Sequence, residues 1–288
     1  MIQDKITQYW VKATGRKINP QTHKWLIGPI GNEDVIGNKF IQNLVNDEDL
    51  KYSSNIPNVG LLESISDLDF TQDELDVLNK QVVDFYVNTS NYDFEIWSEW
   101  KSFFKPFGKA LSLIFSKRLQ QLNLPLNSLD SSKGIKSEII KLSKEDKTKW
   151  TIWYRKLKIS NDVIYAGIYT TAFVPKYNKS LLKVIFPLPN GNASVVMTKE
   201  VLPDGSLLLS SDGKTFGDNG FYFTLTDHKG NHWAKFVKSM HEWIKVYVDE
   251  ENILRADHNL KFYGIPFLNL HYKMTQKHQK TTKRLSKK

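Results

Sequence analysis

One stretch of the sequence, residues 220–274, constrains the fold more than any other. Apolar and polar residues alternate along it almost without interruption, and turn residues break the alternation at short intervals. Alternation with a period of two is typical of antiparallel strands that bury one face. The stretch also holds five of the seven histidines of the chain. A functional site is therefore expected first in this sheet.

The pairing register of two successive strands in this stretch follows from their faces. A slip of one residue would turn every side chain of a strand to the opposite face. Pairing Val248 with Leu254 separates the apolar side chains from the polar ones and places Lys245 opposite Asp257. A favourable cross-strand pair of this kind contributes about 0.2–1 kcal/mol. We therefore predict this register for the hairpin.

Three polar side chains interrupt the apolar face that this register creates. When the next strand, residues 267–274, is placed with Tyr272 opposite His258, Glu242 lies diagonal to His258. A buried carboxylate and a buried imidazole are costly unless they bind each other or a ligand. Two hypotheses follow. The three groups form either a polar network that specifies core packing or the polar end of a cavity.

A cavity at this position is compatible with two functions. In a binding protein for a small, mainly apolar ligand, the six residues that contact the ligand are Glu242, His258, Tyr272, Ile244, Leu260 and Leu270. In an enzyme of the isomerase, cyclase or hydrolase type, His258 acts as general base, Glu242 orients it and Tyr272 donates to a developing oxyanion. Binding is the predicted function, and catalysis is the alternative.

The histidine and acidic residues of these strands do not predict a metal site. His241 is adjacent to Glu242 and Asp257 is adjacent to His258, but adjacent residues of a strand point to opposite faces. Two inward-facing ligands are fewer than the three or four that zinc takes. The sequence also has no phosphate-binding loop and no dinucleotide-binding fingerprint. We expect neither a metal nor a cofactor.

The first half of the chain reads mainly as helix. Thr71 and Glu74 form a capping box, and apolar residues at helical spacing extend the predicted helix to about Val87. A second helical pattern carries an aromatic stripe, which consists of Trp97, Trp100, Phe103, Phe104 and Phe107. The stripe is expected to pack against the sheet. An exposed stripe that contacts a partner or a membrane is the alternative.

The charged segment 143–149 marks the predicted boundary between two parts of the chain. Residues 1–147 are expected to be mainly helical, with a short last helix at 135–142. Residues 148–274 read as about ten strands joined by short turns. The predicted fold class is α+β. A helical N-terminal half precedes a large antiparallel meander, which forms a closed barrel or a curved sheet.

This run of short-turn strands resembles a known architecture. In outline, the C-terminal half is similar to the calycin-type ligand-binding barrels. The resemblance implies an antiparallel barrel with room for a small ligand inside.

Charge and composition limit the partners and the location that can be expected for the protein. The net charge is +9, but seven cations and no acids lie in residues 273–288, which leaves +2 for the rest. The tail, residues 275–288, is expected to be disordered and solvated, with contact to nucleic acid or an anionic membrane as the alternative. The absence of cysteine excludes disulfides and thiol nucleophiles. No apolar run has membrane-spanning length and no secretory segment is visible, so we expect a soluble, cytoplasmic protein.

Overall fold

The computed structural model describes residues 2–31, 39–101, 134–158, 161 and 163–277. Three rings of the predicted aromatic stripe, at Phe103, Phe104 and Phe107, lie outside the described residues. The basic tail from residue 278 onward lies outside them as well.

Helices occupy the N-terminal part of the described chain. They are α1 (Ile2–Thr14), α2 (Lys39–Glu48), α3 (Gln72–Val77) and α4 (Lys80–Val87), with 3-10 turns at Lys24–Leu26, Ile65–Leu68 and Thr89–Asn91. The predicted capping box is present, because Thr71 Oγ1 accepts from the Glu74 N–H at 3.2 Å and Glu74 Oε2 accepts from the Thr71 N–H at 2.8 Å. The single predicted helix is divided in two. Asn79 is extended and caps α4 by accepting from the Gln81 N–H at 2.8 Å.

The strands of the described residues form one sheet in which all neighbouring strands are antiparallel. They are β1 (Arg16–Ile18), β2 (Lys51–Ser54), β3 (Tyr92–Trp100), β4 (Ile135–Lys144), β5 (Lys147–Leu157), β6 (Val163–Val174), β7 (Lys179–Leu188), β8 (Gly191–Val201), β9 (Leu207–Ser210), β10 (Gly220–Thr226), β11 (His232–Phe236), β12 (Met240–Val248), β13 (Leu254–Phe262) and β14 (Ile265–Gln276).

Ten of these strands close into a barrel. The ring runs β3-β4-β5-β6-β7-β8-β9-β12-β13-β14, and β14 returns to β3. At the closure, one edge of β8 pairs with two different strands. Residues 191–196 pair with β10, and residues 198–201 pair with β9. Strands β10, β11 and β1 extend the sheet beyond the ring. Closure pairs the edges that an open sheet would expose and confirms the predicted α+β class.

Two segments that were predicted to be helical are strands of this ring. Strand β3 pairs with β14 along its whole length, and β4 forms a hairpin with β5. Trp97 is exposed on the outer surface, whereas Trp100 lines the interior, so these two rings do not share a face. The boundary predicted at residue 147 falls within the β4–β5 hairpin. Over so few residues, an apolar pattern fits the helical and the strand period almost equally well.

The register of the β12–β13 hairpin is the predicted one. Val248 faces Leu254, and the pairs continue without a break to Met240 and Phe262. The inner face of this hairpin therefore carries Glu242 and His258 in diagonal positions, as the sequence predicts.

The register of β13 with β14 differs from the prediction by two residues. His258 faces Leu270 instead of Tyr272. The cause is a two-residue turn at Tyr263 and Gly264, both with positive φ, followed by a bulge. The prediction assumed a longer loop. Because the difference is an even number of residues, every side chain keeps its face.

The two ends of the barrel are different. Helix α4 closes one end, where Phe85 enters the main core and the Gln81 amide donates to Asn252 Oδ1 at 2.8 Å. The opposite end carries the β13–β14 turn. There, Tyr263 and Ile265 are 75% and 56% exposed.

The N-terminal segment covers part of the outer wall of the barrel. Trp25 and Leu26 pack in an apolar cluster with residues of β6, β7 and β8. Beneath this segment Lys183 is 2% exposed, and its ammonium donates to the carbonyl of Ile27 at 2.7 Å. Burial lowers the pKa of Lys183 to about 7. Among the described residues no acidic side chain pairs with this ammonium, and burying its charge is a cost that the packing around it must offset.

Candidate functional site

The barrel contains a partly open cavity of about 390 Å³. This volume lies within the range of about 300–1,000 Å³ that is typical of small-molecule pockets. Apolar and aromatic side chains dominate its lining, among them Phe85 from α4 and Leu182, Val184, Val195 and Met197 from β7 and β8. A ring of ten strands is wide enough that inward side chains do not fill the interior.

Two of the polar groups in this cavity bind each other. Glu242 Oε2 and His258 Nε2 are 2.7 Å apart, and both side chains are largely buried. The hydrogen bond satisfies one oxygen of a carboxylate that would otherwise be costly to bury. The register of one hairpin predicted that the two side chains lie diagonally and bind each other or a ligand, and in the structure they bind each other.

Strand β9 fixes the backbone at Glu242. The N–H of Glu242 donates to the Ser211 hydroxyl at 3.1 Å, and the Ser211 N–H donates back to the Glu242 carbonyl at 3.0 Å. Ser211 directly follows β9 and is fully buried. The carboxylate is thus held at the point where β12 passes the end of β9.

Three tyrosines surround the same region of the cavity. Tyr272 lines it from β14, and Tyr165 and Tyr169 line it from β6. Burial raises the pKa of Tyr272 to about 12, while the Arg155 guanidinium opposes the shift and the charge of Glu242 adds to it. Burial also raises the pKa of Tyr165 and of Tyr169. All three hydroxyls are therefore neutral donors near physiological pH.

Arg155 is the site residue that the sequence reasoning missed. It lies on the inner face of β5 and is 5% exposed, with Cζ 3.8 Å from the ring centroid of Trp153 and 4.6 Å from that of Tyr165. Its Nε has no hydrogen-bond partner within the described part of the chain. The sequence did contain one indication of this residue. Arg155 shares its strand face with Trp153 and Leu157, so a charged residue occupies a position where the alternation predicts an apolar one.

Most of the predicted ligand-contact residues reach the cavity. The five that line it are Glu242, His258, Tyr272, Ile244 and Leu260. Leu270 is fully buried in the surrounding core and is not a lining residue. Tyr272 lines the cavity diagonal to His258 rather than opposite it. The contact of these residues with a ligand stays a prediction.

The second pairing of a histidine with an acid lies on the outside of the barrel. His271 Nδ1 and Asp257 Oδ1 are 2.7 Å apart on a face that is partly exposed. The described residues contain no group of three or more histidine, aspartate or glutamate side chains that could hold a metal ion. The two pairs are separated by the sheet and cannot act on one substrate.

Fold and site together define a ten-stranded antiparallel barrel with a mainly apolar cavity, and Arg155 and Glu242 form a charged cluster on its wall. No protein-family model matches the chain, and no solved structure matches it. The sequence is similar to the uncharacterized membrane protein YndJ of Bacillus subtilis (strain 168), with 24% identity over 250 residues. The similarity covers 85% of this chain and 42% of that protein, so the chain spans less than half the length of the relative it matches.

This similarity overturns two predictions. The first is the cytoplasmic location, which rested on the lack of a secretory segment and of a long apolar run in the chain. The second is a cytoplasmic protein that binds a small, mainly apolar ligand, which rested on three polar side chains on an otherwise apolar face. The similar protein is named as a membrane protein, and more than half of its length lies outside the aligned region. Among the described residues, no helix combines the length and the apolar character that a bilayer crossing requires.

Proposed function

We propose that this chain is the lipid-handling domain of a membrane-associated protein and that its barrel receives the hydrocarbon chain of one membrane amphiphile. The observation that carries the proposal is a mainly apolar cavity whose wall carries a charged cluster, the buried side chains of Arg155 and Glu242. An apolar lining favours hydrocarbon over water. The charged cluster favours a molecule that also has a polar end.

The volume of the cavity supports the binding of a single hydrocarbon chain. If a methylene group takes about the 30 Å³ of a water molecule, about 390 Å³ accommodates about a dozen such groups. This is enough for most of one long hydrocarbon chain and too little for two. The proposed ligand is therefore a single-chain amphiphile rather than an intact two-chain lipid.

The end of the barrel opposite α4 is the proposed point of contact with the bilayer. Tyr263 and Ile265 are exposed there, and the neighbouring Phe262 and Phe267 line the cavity. Tyrosine and aliphatic side chains are favourable at a membrane interface. A chain that leaves the bilayer at this end would meet apolar surface along its whole path. The membrane protein YndJ, which is similar to this chain, supports the same setting.

A transfer experiment tests the proposal. Lipid-free protein is mixed with phosphatidylcholine vesicles that carry a trace of radiolabelled hexadecanoate or hexadecanol, and the label recovered with the protein is measured. We expect one chain per barrel, with the stoichiometry checked by native mass spectrometry. Ala256 lines the cavity, so Ala256→Phe should fill part of it and abolish uptake. Unchanged uptake by this folded variant would contradict a site inside the barrel.

The route of entry has its own matched control. Replacing Tyr263 and Ile265 together by aspartate should slow transfer from vesicles several-fold, because charges at the contact disfavour the bilayer. Phe173 is also 56% exposed but lies at the β6–β7 hairpin, at the α4 end. Phe173→Asp should leave the transfer rate unchanged. Equal slowing by both changes would argue against entry at the β13–β14 end.

A further inference from the structure

We infer that the amphiphile in the barrel has an anionic oxygen head group, a carboxylate, and that Arg155 binds it. The inference rests on the proposed function, because it names the chemistry at the polar end of the same cavity. Arg155 is itself a lining residue of that cavity.

Two aromatic rings and the hydroxyls of Tyr169 and Tyr272 hold the guanidinium of Arg155 in place, and its Nε is left over. The ring centroids of Trp153 and Tyr165 lie 3.8 Å and 4.6 Å from Cζ. Aromatic rings contact the flat face of a guanidinium, whereas its N–H groups lie along its edge. The stacking therefore orients the group, the two hydroxyls hydrogen-bond part of its edge, and the rest of the edge is left for an acceptor. The Nε of Arg155 has none among the described residues.

No acidic side chain of the described residues forms an ion pair with Arg155. Glu242 is the acid that lines the cavity, and its Oε2 is 2.7 Å from His258 Nε2. Arginine keeps its positive charge in proteins, and a charge that is 95% removed from water needs an opposite charge or strong acceptors. A bound anion would supply both.

The neighbouring hydroxyls suit the same anion. Tyr169 and Tyr272 both interact with the guanidinium of Arg155. A carboxylate has two oxygens in one plane, so it can accept from the edge of the guanidinium while a phenol donates to it from the side. Since both hydroxyls are neutral, they add donors without adding charge.

The charge of the cluster favours a singly charged head group. Arg155 supplies one positive charge, and Glu242 stands in the same cavity. A phosphate monoester carries about −1.5 to −2 charges near neutral pH, which would exceed the charge of Arg155 and be repelled by Glu242. A carboxylate matches the charge of Arg155, and because it carries one negative charge Glu242 repels it less than a phosphate monoester. It also occurs on single-chain lipids of the size that the cavity accommodates.

Four compounds that share one chain length and differ in head group provide the test. Binding of hexadecanoate, hexadecanol, hexadecylamine and hexadecyl phosphate is measured by competition against one fluorescent chain. We expect the intact protein to bind hexadecanoate at least ten-fold more tightly than hexadecanol. Arg155→Met should remove that preference and leave the affinity for hexadecanol unchanged. Tighter binding of hexadecyl phosphate than of hexadecanoate would overturn the assignment to a carboxylate.

The adjacent residue offers a matched control. Lys156 follows Arg155 on β5 and faces the other side of the strand, with Nζ 5.0 Å from the ring centroid of Tyr154. Lys156→Met removes the same charge from the same strand and should keep the preference for hexadecanoate. If Arg155→Met does not fold, Tyr169→Phe and Tyr272→Phe are measured instead, and each should lower the preference several-fold.

The outcomes separate the two proposals. If no compound binds, whatever its head group, the proposed function fails. If hexadecanoate and hexadecanol bind equally well to the intact protein, chain binding stands and the inference about Arg155 is overturned.

Discussion

Two buried lysines show how the surroundings of a single residue decide its contribution to stability. The Lys141 ammonium is 2.7 Å from Glu63 Oε1 and 3.0 Å from Thr151 Oγ1. Lys183 is buried to a similar degree, but the acceptor that the structure gives it is the carbonyl of Ile27. Burial therefore lowers the pKa of Lys183 to about 7, whereas Lys141 has a partner of opposite charge.

This difference predicts that replacement by methionine has opposite effects on stability at Lys183 and at Lys141. Lys183→Met should raise the free energy of unfolding at pH 7, because it removes a buried charge. Between about pH 7 and pH 10 the unfolded chain still binds the proton that the folded protein has lost, so the intact protein should gain stability as the pH rises. The advantage of the variant should shrink by about 1.4 kcal/mol for each pH unit over this range. Urea denaturation at a series of pH values measures it.

The comparison variant is Lys141→Met. It removes the hydrogen bonds that the Lys141 ammonium donates to Glu63 and to the buried Thr151 hydroxyl, so it should lower the stability at pH 7 rather than raise it. If the difference between Lys183→Met and the intact protein did not change from pH 7 to pH 10, the buried ammonium would not be the cause.

At the scale of secondary-structure elements, the turn between two strands fixes their register where the alternation of side chains allows more than one. The β13–β14 turn has Tyr263 at φ 49° and Gly264 at φ 78°, which is the geometry that favours Asn-Gly in two-residue hairpins. A Cβ at Gly264 would meet nothing within 4 Å, so its substitution tests backbone conformation alone.

Two substitutions in this turn should therefore act in opposite directions. Gly264→Ala should destabilise the protein by about 1 kcal/mol, because alanine disfavours positive φ. Tyr263→Asn should stabilise it by a few tenths of a kcal/mol, since asparagine tolerates this conformation. Thermal unfolding of the two variants measures both effects. A loss of stability in Tyr263→Asn would show that the tyrosine ring contributes more than its backbone costs.

The sequence predicts the contacts that depend on neighbouring strands and misses those that depend on distant ones. The contact of Glu242 with His258 could be predicted because one hairpin with sharply different faces fixes both positions. Strand β3 could not, because residues 92–100 pair with β14, a partner far along the sequence. Arg155 was missed because its role depends on residues of other strands, which no local pattern reveals.

At the scale of the molecule, closure of the ring depends on one short strand. Strand β9 has four residues, and it joins β8 on one side to β12 on the other. Leu207 and Leu209 point inward and are buried, while Leu208 stands between Glu200 and Lys245 in the two ladders. Without β9, the edges of β8 and β12 would be open and the cavity would lose part of its wall.

A proline in β9 should therefore open the barrel. Proline cannot donate to a ladder and is not accommodated in the interior of a sheet. We expect Leu208→Pro to lose cooperative unfolding, bind a hydrophobic dye and take up no hydrocarbon chain. Lys17→Pro places the same residue in β1, which lies at the end of the sheet outside the ring. That variant should be less stable locally yet keep the cavity and its ligand. Retention of chain uptake by Leu208→Pro would show that the ring can hold its ligand without β9 as a closing strand.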